Sequence, residues 1–140
     1  MSLYLDASVL VALFTLDAWT ARARAWLAGQ EAVLVVSDFA GAELVSAIAR
    51  KVRMQAVTPV EAALAFAHFD QWTARHAERV ETTAADIATA SAWLRALDPA
   101  LRTPDAINLA IAQRLALTIV TFDAGMLRAA QALGLAVDDP

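Results

Sequence analysis

The stretch Leu3-Tyr4-Leu5-Asp6-Ala7-Ser8-Val9-Leu10 decides how the chain is read. An apolar run meets one carboxylate and then turns apolar again through Val11, Ala12, Leu13 and Phe14. A short apolar run of this kind is a buried strand, and Asp6 falls where that strand ends. Carboxylates are seldom buried without a partner. No Lys or Arg lies within ten residues of Asp6 on either side, so no local ion pair accounts for it. Its partner comes from elsewhere in the chain or from outside, as a cation would.

Outward from this stretch, apolar strands alternate with helical patterns. Residues 2–5 form the first strand, Ser8 to Phe14 begins a helix, and Asp17 to Ala28 continues helical as far as Gly29. Ala32 to Val36 is a β-branched strand. Ser37 or Asp38 caps a helix to Arg53, with Leu44, Val45, Ile48 and Val52 as its buried stripe. Thr58-Pro59-Val60-Glu61 has the cap, proline and returning carboxylate of a capping box, and its helix runs to His76. Arg79 to Thr82 is a short strand, and Thr83 to Asp86 opens a helix that Asp98-Pro99 ends. Thr103-Pro104-Asp105 opens another in the manner of Thr58. Leu117 to Phe122 is a strand, Asp123 caps a helix to Leu133, Leu135 to Val137 is an edge strand, and Asp138-Asp139-Pro140 is a solvated tail. This alternation predicts an α/β fold with a parallel sheet, in a single domain spanning residues 1–140.

Composition narrows the function. The net charge of -4 argues against a broadly basic nucleic-acid binder, and the absence of cysteine excludes disulfides and thiolate metal sites. It also fits a reducing, cytoplasmic setting. The longest uncharged run, Ala7 to Leu16, is too short to span a membrane. The four tryptophans read as core or interface anchors, and the cluster Arg50-Lys51-Arg53 as a solvated helix end, with phosphate steering as its alternative.

In parallel α/β sheets, ligands bind beyond the carboxyl ends of the strands. Asp6 and Asp123 each end a strand, Glu43 lies in the first two turns after the second strand, and Asp105 lies in the first turn of a helix. Each has a plain alternative. Asp123 caps its helix, Asp105 favours the helix dipole, Glu43 pairs with a distant arginine, or Asp6 accepts from loop amides. Together they form a set that repels itself unless a hard divalent cation holds it. Mg²⁺ or Mn²⁺ suits an all-oxygen set and can promote in-line attack on a phosphodiester. Ser8, Thr121 or Asn108 would orient the water. Asp38, Glu61 and Asp86 are explained by helix starts.

At Tyr4-Leu5-Asp6-Ala7-Ser8, Ala42-Glu43-Leu44, Thr103-Pro104-Asp105-Ala106-Ile107-Asn108-Leu109-Ala110 and Thr121-Phe122-Asp123 the chain resembles the PIN-domain family, and within it the VapC-like toxins of toxin–antitoxin pairs. The resemblance implies a three-layer fold with strand order 3-2-1-4-5. It implies Mg²⁺- or Mn²⁺-dependent cleavage of RNA, with Asp6, Glu43, Asp105 and Asp123 as metal-binding acids and Ser8 and Thr121 as accessory hydroxyls. It further implies a homodimer and a small antitoxin partner. Two other readings compete. One is a PIN-like binding module that does not cleave. The other is an aspartate-nucleophile phosphoryl-transfer enzyme, which wants a second acid where Ser8 stands and a lysine at the site, whereas Lys51 is the only lysine.

Overall fold

The computed structural model describes residues 1–140. Five strands, β1 (Ser2–Leu5), β2 (Val33–Ser37), β3 (Ala77–Val80), β4 (Thr118–Val120) and β5 (Val137–Asp138), form one sheet in the order 3-2-1-4-5. Every pairing is parallel, with Tyr4 beside Val35 on one flank and Ile119 on the other. Parallel pairing needs crossovers, and seven helices supply them. They are α1 (Ala7–Phe14), α2 (Thr20–Ala28), α3 (Asp38–Arg53), α4 (Pro59–His76), α5 (Ala84–Ala96), α6 (Thr103–Arg114) and α7 (Ala124–Ala132). The chain winds outward from β1 through β2 to β3, then returns past β1 to β4 and β5. Crossovers between parallel strands are right-handed as a rule, so winding in two directions places helices on both faces, which makes three layers.

β1 is the central strand, and Leu3, Tyr4 and Leu5 are all buried. Helix α3 meets the core through Ala40, Leu44 and Ile48, one residue per turn. Val45 is exposed, contrary to the expected stripe. It lies about 100° around the helix from Leu44, beyond the i, i+4 line that faces α1. Thr58 and Glu61 form the expected capping box.

Several boundaries differ from the sequence reading. β3 starts two residues earlier than Arg79, because Ala77 pairs with Leu34 directly after α4 ends. Leu97, expected to lie within the helix that Asp98-Pro99 ends, is instead the exposed left-handed cap of α5, with φ 65°. Thr103 makes no capping bond; Arg102 occupies the N-cap and its side chain turns to the acids instead. The acidic tail is tied down, since Asp138 pairs in β5 and accepts from the Trp26 indole at 3.2 Å, while Asp139 meets Arg22 at 3.4 Å.

Reversal of the winding direction at β1 and β4 opens a crevice beyond their carboxyl ends. Helices α1, α3 and α7 all begin at that edge, directly after β1, β2 and β4. Their N-termini bring unpaired N–H groups and positive dipole ends to one place. No helix is long and apolar enough to cross a membrane.

Candidate metal and nucleic-acid site

Asp6 is the most buried of the four acids, 4% exposed, at the N-cap of α1. Its Oδ1 accepts from the Ser8 hydroxyl at 2.6 Å and the Val9 N–H at 3.1 Å. Its Oδ2 accepts from the Thr121 hydroxyl at 2.5 Å. Both hydroxyls are themselves fixed by the β4–α7 turn. Phe122 N–H donates to Ser8 Oγ at 2.9 Å, and Asp123 N–H donates to Thr121 Oγ1 at 3.0 Å. The spacing Asp6-Ala7-Ser8 and Thr121-Phe122-Asp123 therefore builds one interlocked pair of turns. None of these donors is a cation. Burial pushes the Asp6 carboxyl above the ordinary range, and the nearby charge of Asp123 adds to this, while the three hydrogen bonds oppose it.

Glu43, in the second turn of α3, is held by Asn108 of α6, whose Nδ2 donates to Glu43 Oε1 at 2.6 Å and to Pro104 O at 2.9 Å. Asn108 Oδ1 accepts from the Tyr4 hydroxyl at 2.5 Å, and that hydroxyl also meets Ser37 Oγ at 2.6 Å. Ser37 Oγ in turn accepts the Ala40 N–H at 2.9 Å, capping α3. With the Tyr4 proton given to Asn108, Ser37 donates to Tyr4, and each group in the line has its partner. Burial raises the Tyr4 phenol far above its ordinary value, so it stays a neutral donor; Ser37 opposes this, and Glu43 and Asp6 reinforce it. Burial likewise raises the Glu43 carboxyl, against the Asn108 bond and with the charges of Asp6 and Asp105 adding to it.

Asp105 and Asp123 meet through a cation. Arg102 Nε lies 3.2 Å from Asp105 Oδ2, and Nη2 lies 3.6 Å from Asp123 Oδ2. Asp123 also caps α7 by accepting the Met126 N–H at 2.9 Å. The Arg102 side chain is 74% exposed, so this clasp is a surface pair of small intrinsic worth. Beside it runs a groove of about 560 Å³ lined by Ser8, Glu43, Arg50, Arg102, Phe122 and Asp123, among others.

The structure thus gathers the expected acids at one edge through two inner contacts and one clasp. Asp6 binds Ser8 and Thr121, Glu43 binds Asn108, and Asp105 and Asp123 share Arg102. No three acidic or histidine side chains are drawn together as a ready metal cage. The donor chemistry nonetheless fits a hard cation: all-carboxylate oxygens, with the buried member lacking any positive partner. Sequence reading left Asn108 with only a water-orienting role and did not find Tyr4, Ser37 or Arg102. The signal for Asn108 was one turn of helix separating it from Asp105; Tyr4 and Asn108 lie 104 residues apart and carry no local signal.

Comparison with known proteins bears on this arrangement. The PIN domain profile matches residues 3–132. No curated protein matches the chain in sequence. Among solved structures, the chain is similar to VapC20 of Mycobacterium tuberculosis, described as a sarcin-ricin loop cleaving toxin, with a TM-score of 0.78, 20% identity and 99% of each chain covered. It is also similar to FitAcB of Neisseria gonorrhoeae (TM-score 0.71, 22% identity, 99% of this chain and 97% of that). A third likeness is to VapBC2 of Rickettsia felis bound to a fragment of promoter DNA (TM-score 0.70, 14% identity, 99% and 98%). At these identities the likeness shows the shared fold.

Proposed function

Because the chain belongs to the PIN-domain family, we propose that it is a metal-dependent endoribonuclease, the cytoplasmic toxin of a toxin–antitoxin pair. The observation that carries this reading is Asp6, buried at the carboxyl end of the central strand with hydroxyl and amide donors but no cation. A fold that only needed a cap there would not leave a charge in so costly a place. Asp6, Glu43, Asp105 and Asp123 would hold Mg²⁺, for which Mn²⁺ can substitute. When bound, such an ion supplies positive charge to offset the negative charge that develops as water attacks a phosphodiester.

The protein's own groups do the rest. Ser8 and Thr121 fix both Asp6 oxygens, so its carboxylate cannot rotate away. Asn108 holds Glu43 in one orientation. Arg102 joins Asp105 and Asp123; were a metal to take over these two carboxylates, the Arg102 guanidinium would be left to meet a phosphate. Several structural relatives are toxin–antitoxin complexes, among them VapBC-1 from Haemophilus influenzae and a complex from Klebsiella pneumoniae. They support an antitoxin as partner; a homodimer as the working form is part of the proposal.

The test is cleavage of total cellular RNA by the purified protein with Mn²⁺, Mg²⁺ or EDTA, beside Asp6→Asn. Discrete products that need both metal and Asp6 are expected. Equal cleavage by Asp6→Asn would overturn the assignment. The Arg102 clasp favours a second reading, a non-cleaving binding module whose acids are satisfied by their own arginine. That reading predicts no rise in melting temperature with Mn²⁺; a metal site predicts one.

A further inference from the structure

Trp19 is the tryptophan that the fold does not use up. Trp26 gives its indole N–H to Asp138 at 3.2 Å. Trp72 packs edge-on against Phe14 at 5.4 Å. Trp93 packs on the core. Trp19 stands at the N-cap of α2, caps nothing with its side chain, gives its indole N–H to no acceptor, and is 43% exposed. It lies nearly parallel to Phe122, with ring centroids 4.9 Å apart and planes 19° from each other. Phe122 is the residue between Thr121 and Asp123, so the stack is joined directly to the turn that holds Asp6.

Both rings line the groove that also contains Ser8, Glu43 and Asp123. Arg50 and Arg102 line the same groove. A third cation, Arg22, lies 5.7 Å from the Trp19 centroid and 5.9 Å from that of Phe122, steadied by Asp139. The backbone under Trp19 is fixed as well. Its N–H donates to Asp17 Oδ1 at 2.7 Å, and the Thr20 hydroxyl donates to Thr15 O at 3.0 Å. Phe122 covers one face of the indole, Arg22 stands beside both rings, and Trp19 stays 43% exposed while lining the groove, so a flat apolar ring stands among arginines and acids. A ligand that fits carries a planar ring and, a short distance away, an anionic group.

We infer that Trp19, backed by Phe122, is a stacking platform for an unpaired RNA base, with the adjoining phosphate received by Arg50 and Arg102. Every base has a π-face, so such a platform favours single-stranded over paired RNA with little regard to sequence. The inference rests on the ribonuclease reading above and specifies its substrate as unpaired RNA. An aromatic side chain from a partner protein is the competing occupant, and it predicts no dependence of RNA binding on Trp19.

The experiment measures equilibrium binding of a short fluorescein-labelled single-stranded RNA to the full chain carrying Asp6→Asn, so that cleavage does not intervene. Trp19→Ala and Trp19→Phe are made in that background, with circular dichroism and melting temperature as folding controls. Trp19→Ala should weaken binding about tenfold, and Trp19→Phe should stay within about threefold. Replacing the stacked nucleotide by an abasic one should cost the platform a similar factor and add nothing to Trp19→Ala. Unchanged binding by Trp19→Ala, additive abasic and Trp19→Ala losses, or no measurable RNA binding by the parent overturns the platform. The two readings fail separately. Trp19-dependent binding without cleavage by the wild type sinks the nuclease alone, and metal-dependent cleavage with a KM untouched by Trp19→Ala sinks the platform alone.

Discussion

Two buried carboxylates, Asp6 and Asp86, sit at helix N-termini and are treated in opposite ways. Asp86 is 1% exposed and shares a capping box with Thr83 at the start of α5. Arg114 of α6 then closes on it with a fork, Nε to Oδ1 at 2.7 Å and Nη2 to Oδ2 at 2.9 Å, while Nη2 also reaches Glu81 O at 3.0 Å. Burial raises the Asp86 carboxyl, but the Arg114 and Thr83 bonds more than offset it and hold it below the ordinary range. Asp6 has equivalent hydroxyl and amide donors and no guanidinium, and its carboxyl ends above that range. Where the fold needs a carboxylate only for docking α5 on α6, it brings the countercharge with it. At the carboxyl end of β1 it leaves the countercharge out, which is what separates a structural acid from one available to a ligand.

Asp6→Asn is the sharpest way to break that contrast. It keeps the shape and most hydrogen bonds of the side chain but removes its charge, so cleavage of RNA should fall by about 10³-fold or more. Single-turnover rates at saturating Mn²⁺ read this directly. Retained activity would mean that Asp6 is as structural as Asp86.

The same substitution made at the other acid should reverse the pattern. Asp86→Asn strands the Arg114 fork and should destabilise the fold by about 3 kcal/mol, as should Arg114→Ala. Asp6→Asn relieves an uncompensated buried charge and should leave stability unchanged or slightly raised. Urea midpoints of the three variants test this. A loss for Asp6→Asn comparable to that for Asp86→Asn would remove the distinction.

The sequence reveals the two acids unequally for the same reason. Asp6 is conspicuous because its neighbours are apolar and no basic residue is near, so both the end of β1 and the want of a partner can be read locally. The turn Thr121-Phe122-Asp123 and the box from Thr58 to Glu61 are equally local. Asp86 reads as a helix start and no more, because its partner lies 28 residues away on another helix. Trp19 reads as a core anchor because residue type alone does not say which ring finds an acceptor. The parallel sheet followed from the alternation of elements. The residues that begin β3 did not, because Ala77-Glu78 has no strand character of its own and is extended by pairing with β2.

Asn108 lies between the two cases: a neutral group that orients an acid without neutralising it. Asn108→Ala frees Glu43 and leaves the Tyr4 hydroxyl without its acceptor. It should lower Mn²⁺ affinity about 10- to 100-fold, as loss of a group that holds a ligand in place typically does. Tyr4→Phe acts one bond further away and should cost only about 1 kcal/mol of stability. Mn²⁺ titrations followed by melting temperature resolve both. An Asn108→Ala protein with unchanged affinity would show that Glu43 needs no support.

The smallest effect is also the one in which the two acids pull against each other. The Asp86 carboxyl stays ionised in the folded protein at pH values where the unfolded chain takes up a proton. Its contribution is complete above the unfolded value and is lost as pH falls through the lower, folded one. Asp6 and Glu43 lie on the other side. Their raised values mean that the folded protein binds protons before the unfolded chain does, so each costs stability at neutral pH and returns it as pH falls through the raised value. Metal-free protein should therefore gain stability on mild acidification below neutrality, before Asp86 and the other paired acids reverse the trend. Asp6→Asn should flatten the gain, and Asp86→Asn should leave it intact while weakening the later loss. Saturating Mn²⁺ should also abolish the gain, because a cation and a proton answer the same charge. A melting temperature that falls steadily from neutral pH in metal-free wild type would mean that Asp6 is already compensated within the fold.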